Sequence, residues 1–161
     1  MKTIFLLRHA KAVPGDAATR DFDRALSRRG TEDALRVGEI IKKRNIEPQL
    51  VLCSPAMRTK QTIELAIQSS KLKVEAQFNE QIYDASLNDL LNVIELVDKE
   101  VNSLLLVGHN PGIEELLRFL TGEVRPVPTA AFARIDVENG LWSEVRTHRS
   151  SGQLAWIIKP T

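Results

Sequence analysis

Residues 4–10 read Ile4-Phe5-Leu6-Leu7-Arg8-His9-Ala10: four apolar residues, then a cation and a histidine. An apolar run this short and continuous suits a strand covered on both faces, as in a parallel sheet. Two further runs end the same way. Leu50-Val51-Leu52-Cys53 passes into Ser54-Pro55-Ala56-Met57-Arg58, and Leu104-Leu105-Leu106-Val107 passes into Gly108-His109-Asn110-Pro111. Ligands of open parallel sheets bind beyond the carboxyl ends of the strands, so parallel pairing would aim all three segments at one crevice.

The intervening chain supplies helices. The polar stretch from His9 to Arg24 reads as a loop. Ser27 is placed to cap a helix running to about Arg44, with Ala34, Leu35, Gly38 and Ile41 on one face. Lys42, Lys43 and Arg44 complement the carboxyl end of its dipole. Ser54-Pro55 and Asn110-Pro111 each pair a capping residue with a proline, which predicts helices to about Ser69 and Leu120. Lys73–Ala76 reads as a third strand and Leu87–Lys99 as an amphipathic helix. Beyond residue 130 the pattern becomes Ala131–Val137, Leu141–Thr147 and Leu154–Ile158, three strands with turns at Asn139-Gly140 and Ser151-Gly152. The expected fold is α/β: a three-layer sandwich with a mainly parallel central sheet flanked by helices and an antiparallel C-terminal extension. Residues 1–161 are expected to form one domain.

Charge narrows the partners. Twenty-two basic side chains against 21 acidic ones give a net +1, which argues against nucleic-acid binding by bulk electrostatics. The single cysteine, Cys53, fits a reducing compartment. The first apolar run is too short for a signal peptide, and no stretch approaches the roughly 18 apolar residues of a membrane span, so a cytoplasmic protein is expected. Neither an ordered set of metal ligands nor a phosphate-cradling glycine pattern is present, and no metal or cofactor is expected.

The crevice would hold Arg8, His9, Arg58, His109 and two helix N-termini. That is a local cationic pocket in a nearly neutral chain. Guanidinium forks match phosphate oxygens, and helix N-termini favour anions. A neutral imidazole there could attack phosphorus, and a second, protonated imidazole could stabilise the equatorial oxygens. Plainer readings exist for each part: the caps need no further role, Arg58 could be a solvated charge, and a lone histidine at a strand end is commonly structural.

The ordered motifs resemble those of the histidine phosphatase superfamily, and within it the small SixA-type phosphohistidine phosphatases. They are Leu6-Leu7-Arg8-His9-Ala10-Lys11-Ala12, Leu26-Ser27-Arg28-Arg29-Gly30, Ser54 to Thr62, Val107 to Gly112 and Pro128-Thr129-Ala130-Ala131. Ala10 stands where the superfamily usually has glycine, as it often does in the SixA-type branch. The resemblance implies that His9 is the nucleophile and that Arg8, Arg58 and His109 complete a phosphate pocket. It places Arg24 on the loop facing that pocket, and Asn110 at a helix cap within reach of the phosphate. Glu80, in Asn79-Glu80-Gln81-Ile82-Tyr83, fits the general-acid position of larger relatives. A chain with little room for insertions suits an open site. The implied substrate is a phosphohistidine-bearing protein of phosphotransfer or phosphocarrier type; the alternatives are a small phosphomonoester or a non-catalytic phosphohistidine-binding module. A monomer is expected.

Overall fold

A computed structural model describes residues 1–138 and 140–160. Four strands are parallel: β1 (Lys2–Arg8), β2 (Leu50–Cys53), β3 (Ala76–Phe78) and β4 (Ser103–Gly108). Antiparallel β5 (Phe132–Val137) and β6 (Gln153–Ile158) extend the sheet past β1, giving the order β3-β2-β4-β1-β5-β6. This is the expected mixed sheet. β1 and β4 lie side by side, with Arg8 opposite Gly108, so the two histidines that follow leave the sheet as neighbours.

Period-two alternation splits the core into two layers. Ile4, Leu6, Leu104 and Leu106 face α3 (Leu87–Glu95) and α4 (Gly112–Thr121). Phe5, Leu7, Leu105 and Val107 face α1 (Arg28–Lys43) and α2 (Met57–Ser70). All eight of these strand side chains are buried, which explains why the runs carry no alternation of polarity.

Ser27 caps α1 as expected, its Oγ accepting from Gly30 N at 3.1 Å. Gly30 lets α1 approach the segment after β1: an added Cβ would stand 2.0 Å from the Lys11 carbonyl oxygen. Ser54 does not cap α2. The helix starts three residues later, at Met57, and the Ser54 hydroxyl turns toward His109 instead. Ala10 lies outside the left-handed region, so nothing in its backbone demands glycine.

Three boundaries differ from expectation. β3 covers Ala76–Phe78 rather than Lys73–Ala76, because pairing with Val51–Cys53 sets its register. α3 stops at Glu95, well before Lys99. Leu141–Thr147 is not a strand; Trp142–His148 forms two short 3₁₀ turns that meet at a kink at Glu144. Trp142 and Val145, three residues apart, are both buried, and the Trp142 indole donates to the Val101 carbonyl at 2.7 Å. Both enter the core layer that holds α3 and α4, whereas a strand would send residues three apart to opposite faces. Asn139 of the expected Asn139-Gly140 turn lies outside the described residues.

Candidate active site

His9 follows β1 and is held on both sides by backbone. Its N–H donates to the Gly108 carbonyl, and its own carbonyl accepts from Ala130 N. The ring is fixed as well. Nδ1 donates to the Ala10 carbonyl at 2.7 Å, which places the proton there and leaves Nε2 with a free lone pair. Burial pushes the His9 pKa down to about 4, and Arg58, Arg8 and Arg24 add to the effect. His9 is therefore a neutral imidazole at physiological pH.

The His109 ring lies 5.3 Å from that of His9, centroid to centroid. Its Nε2 is 2.8 Å from the Ser54 hydroxyl. Burial, then Arg58 and His9, pushes its pKa down to about 3, so His109 is neutral too. The condition under which a second histidine would supply positive charge, its protonation, is disfavoured here: burial comes first, and Arg58 and Arg8 make a further cation unfavourable.

Arg58, on the first turn of α2, is buried. Its Nη1 donates to the Asp21 carbonyl at 2.8 Å and its Nη2 to the Asp21 carboxylate at 3.1 Å. Tyr83 donates its hydroxyl to the same carboxylate oxygen at 2.7 Å, and Arg24 donates to the other at 3.0 Å. These contacts, with that from Tyr83 foremost, hold the Asp21 carboxyl well below its ordinary value. Tyr83 also meets His109 edge to face at 5.6 Å. Asp21, Arg58, Tyr83 and His109, together with Asp84 and Asn110, line a cavity of about 200 Å³.

Two other residues of α2 tie down the segment after β1. Gln61 accepts from Leu26 N at 2.8 Å, and Thr62 accepts from Ala10 N at 3.0 Å. Arg8 sits across the strand end, its Nη1 donating to the Val127 carbonyl at 3.1 Å. Asn110 Nδ2 donates to the same carbonyl at 2.9 Å, and its Oδ1 accepts from Glu114 N in the first turn of α4 at 3.3 Å. The N-cap position of α4 is Pro111 rather than Asn110, which braces the first turn from one residue earlier and fastens the Val127 loop while lining the cavity.

Glu80 is not drawn in. It is exposed, and among the described residues its carboxylate makes no hydrogen bond or ion pair. Asp21, Tyr83 and Ser54 lie at the site, although their residue types alone did not single them out. The sequence signals for them are that Ser54 follows a strand and opens the Ser54 to Thr62 motif, that Tyr83 closes the stretch holding Glu80, and that Asp21 lies three residues before Arg24. Among the described residues no cluster of three or more His, Cys, Asp or Glu side chains could hold a metal ion. No helix among them is long and apolar enough to cross a membrane.

Comparison with known proteins gives the family and the fold. The family model of the histidine phosphatase superfamily (branch 1) matches residues 4–90. An uncharacterised chloroplastic protein of Arabidopsis thaliana is 30% identical over 152 residues, spanning 89% of this chain and 70% of its own. The phosphohistidine phosphatase SixA homolog of Haemophilus influenzae is 27% identical over 165 residues, 92% of this chain and 95% of its own. Among solved structures, a candidate phosphohistidine phosphatase SixA from Agrobacterium tumefaciens superposes with a TM-score of 0.84 at 28% identity, covering 99% of this chain and 98% of that one.

Proposed function

The chain belongs to the histidine phosphatase superfamily, and on that premise we propose that it hydrolyses phosphohistidine carried by a protein, through a covalent intermediate on His9. The observation that carries this reading is the bond from His9 Nδ1 to the Ala10 carbonyl. It leaves Nε2 with a lone pair on a ring beside that of His109 and within the field of Arg58, Arg8 and Arg24, an environment that suits a phosphoryl group.

In the first step Nε2 of His9 forms a bond to phosphorus as the bond from phosphorus to the substrate nitrogen breaks. If the substrate ring carries a proton on its other nitrogen, it departs as neutral imidazole and needs no acid. That suits a site whose expected acid, Glu80, stands exposed and unpartnered. Arg58 and Arg8 balance the charge on the equatorial oxygens, with Arg24 at the rim. In the second step water attacks phosphorus, and His9 leaves. Its proton stays on Nδ1, donated to the Ala10 carbonyl, so it too departs as neutral imidazole, and the protons of the water leave with the inorganic phosphate.

Protein-borne substrates are favoured over small ones because the cavity beside His109 is modest. The chemistry named for the Haemophilus and Agrobacterium proteins points the same way. A ³²P-labelled phosphohistidine protein tests the reading. Mixing it with the enzyme should transfer an acid-labile label that is absent from His9→Ala, and turnover by that variant should fall at least about a thousandfold. Undiminished turnover by His9→Ala would refute the mechanism. A preference for small phosphomonoesters in kcat/KM would refute the substrate class.

A further inference from the structure

Ser54 is fully buried, so its hydroxyl has no access to water. Its oxygen accepts from Ala56 N at 3.3 Å and lies 2.8 Å from His109 Nε2. A hydroxyl has one proton to donate, and among the described residues the imidazole nitrogen is the only acceptor bonded to it. The reverse arrangement, with Nε2 donating to Oγ, would leave two buried groups unmet, the hydroxyl proton and the Nδ1 lone pair, where donation by Ser54 leaves only the Nδ1–H. The arrangement with fewer unmet groups is the one in which Ser54 donates and Nε2 accepts.

The ring's proton must then sit on the other nitrogen. His109 is neutral, and a neutral imidazole whose Nε2 accepts carries its hydrogen on Nδ1. That Nδ1 is buried and has no hydrogen-bond partner in the protein. A donor left without a protein acceptor, on a ring 5.3 Å from that of His9, wants an acceptor brought by a ligand.

We infer that Ser54 is a positioning residue that fixes the proton of neutral His109 on Nδ1, so that this N–H donates to an oxygen of the phosphoryl group held at His9. The second half rests on the phosphatase reading above; the first half does not. His109 would then act on the oxyanion as an oriented neutral dipole, and a phosphoryl oxygen would meet the one ring donor that the protein leaves unmet. Nothing need be protonated or deprotonated at His109 during turnover.

Imidazole ¹H–¹⁵N correlation spectra test this directly, since the chain has only three histidines and each is assignable by substitution. In the native protein His109 should show the Nδ1–H tautomer. In Ser54→Ala it should become a mixture or shift to Nε2–H, while the fold, followed by circular dichroism, is retained. Inorganic phosphate should move the His109 Nδ1–H proton downfield in the native protein. The kcat of Ser54→Ala should fall on the order of tenfold, the scale of one oriented hydrogen bond, with KM changed less. An Nε2–H tautomer in the native protein, or a tautomer indifferent to Ser54→Ala, overturns the role of Ser54. Phosphate that perturbs His9 but leaves the His109 Nδ1–H unmoved overturns the donor role alone. Phosphate that perturbs neither ring overturns the donor role together with the phosphatase reading, and leaves the tautomer assignment to stand on the first two spectra.

Discussion

Asp21 grips Arg58 twice, through its backbone carbonyl and through its carboxylate, at 2.8 and 3.1 Å. The guanidinium is thereby fixed from the loop side by a residue 37 positions earlier in the chain. An arginine so held keeps its remaining N–H groups aimed without further loss of side-chain freedom. Asp21→Ala should therefore lower kcat/KM by about tenfold with little change in Tm, because the carboxylate is half exposed and contributes little to stability. Steady-state kinetics alongside thermal denaturation checks both halves. A variant as active as the native enzyme would mean that α2 and the Asp21 carbonyl position Arg58 without the carboxylate.

Arg58→Lys should be far more damaging. A lysine offers a single ammonium in place of a fork, and it cannot bond the Asp21 carbonyl, the Asp21 carboxylate and a phosphoryl oxygen in the same geometry. A loss on the order of a hundredfold in kcat/KM is expected, about 2.7 kcal/mol of transition-state stabilisation. Added guanidinium ion should not restore activity to Arg58→Lys, since the lysine side chain still fills the path.

His9 has an ordinary pKa of 6.5, pushed down to about 4 by burial and the surrounding arginines. Between those two values the unfolded chain takes up a proton that the folded chain does not. Stability should accordingly fall as pH drops through this window, and the part due to His9 is complete above about pH 6.5. Imidazole NMR titration should find His9 neutral down to about pH 5. Once substrate ionisation is accounted for, the enzyme's acid limb in kcat/KM should lie near pH 4. A limb at 6.5 would show that the pocket does not desolvate the ring.

Gly30→Ala forces a Cβ against the Lys11 carbonyl oxygen, which also accepts the Ser27 N–H. The clash is with backbone, so α1 and the segment after His9 must separate. A cost of about 2 kcal/mol is expected, lowering Tm by roughly 4–8 °C in a chain of this size. Calorimetry on the variant measures this. An unchanged Tm would mean that the segment after β1 yields freely.

Glu80→Gln should leave turnover of a phosphohistidine protein within about threefold of native, because the carboxylate is exposed and without a partner. A large loss on that substrate would require Glu80 to swing into the site and would restore it as the acid.

The strands that carry Arg8, His9, Ser54 and His109 were legible because burial on both faces leaves an unbroken apolar run, and three such runs ended in polar residues. The mixed sheet followed from the same pattern and from the resemblance of its motifs. The segment 141–147 misled because Trp142 and Val145 satisfy a strand's composition while burying at a spacing of three. Glu80 matched a motif position, but a motif says nothing of whether a side chain faces inward.

Sequence alone determined which residues stand at the carboxyl ends of the strands, since hydrophobic period and turn chemistry are local properties. Tertiary structure decided what those residues are in chemical terms. The His9 tautomer depends on the Ala10 carbonyl, the grip on Arg58 on Asp21, and the neutrality of His109 on burial beside Arg58 and His9. Proton position and charge state follow from hydrogen-bond partners and from desolvation. Most of those partners lie on separate elements that meet only when the sheet is assembled, so a reading along the chain could name the histidines but not assign their protons.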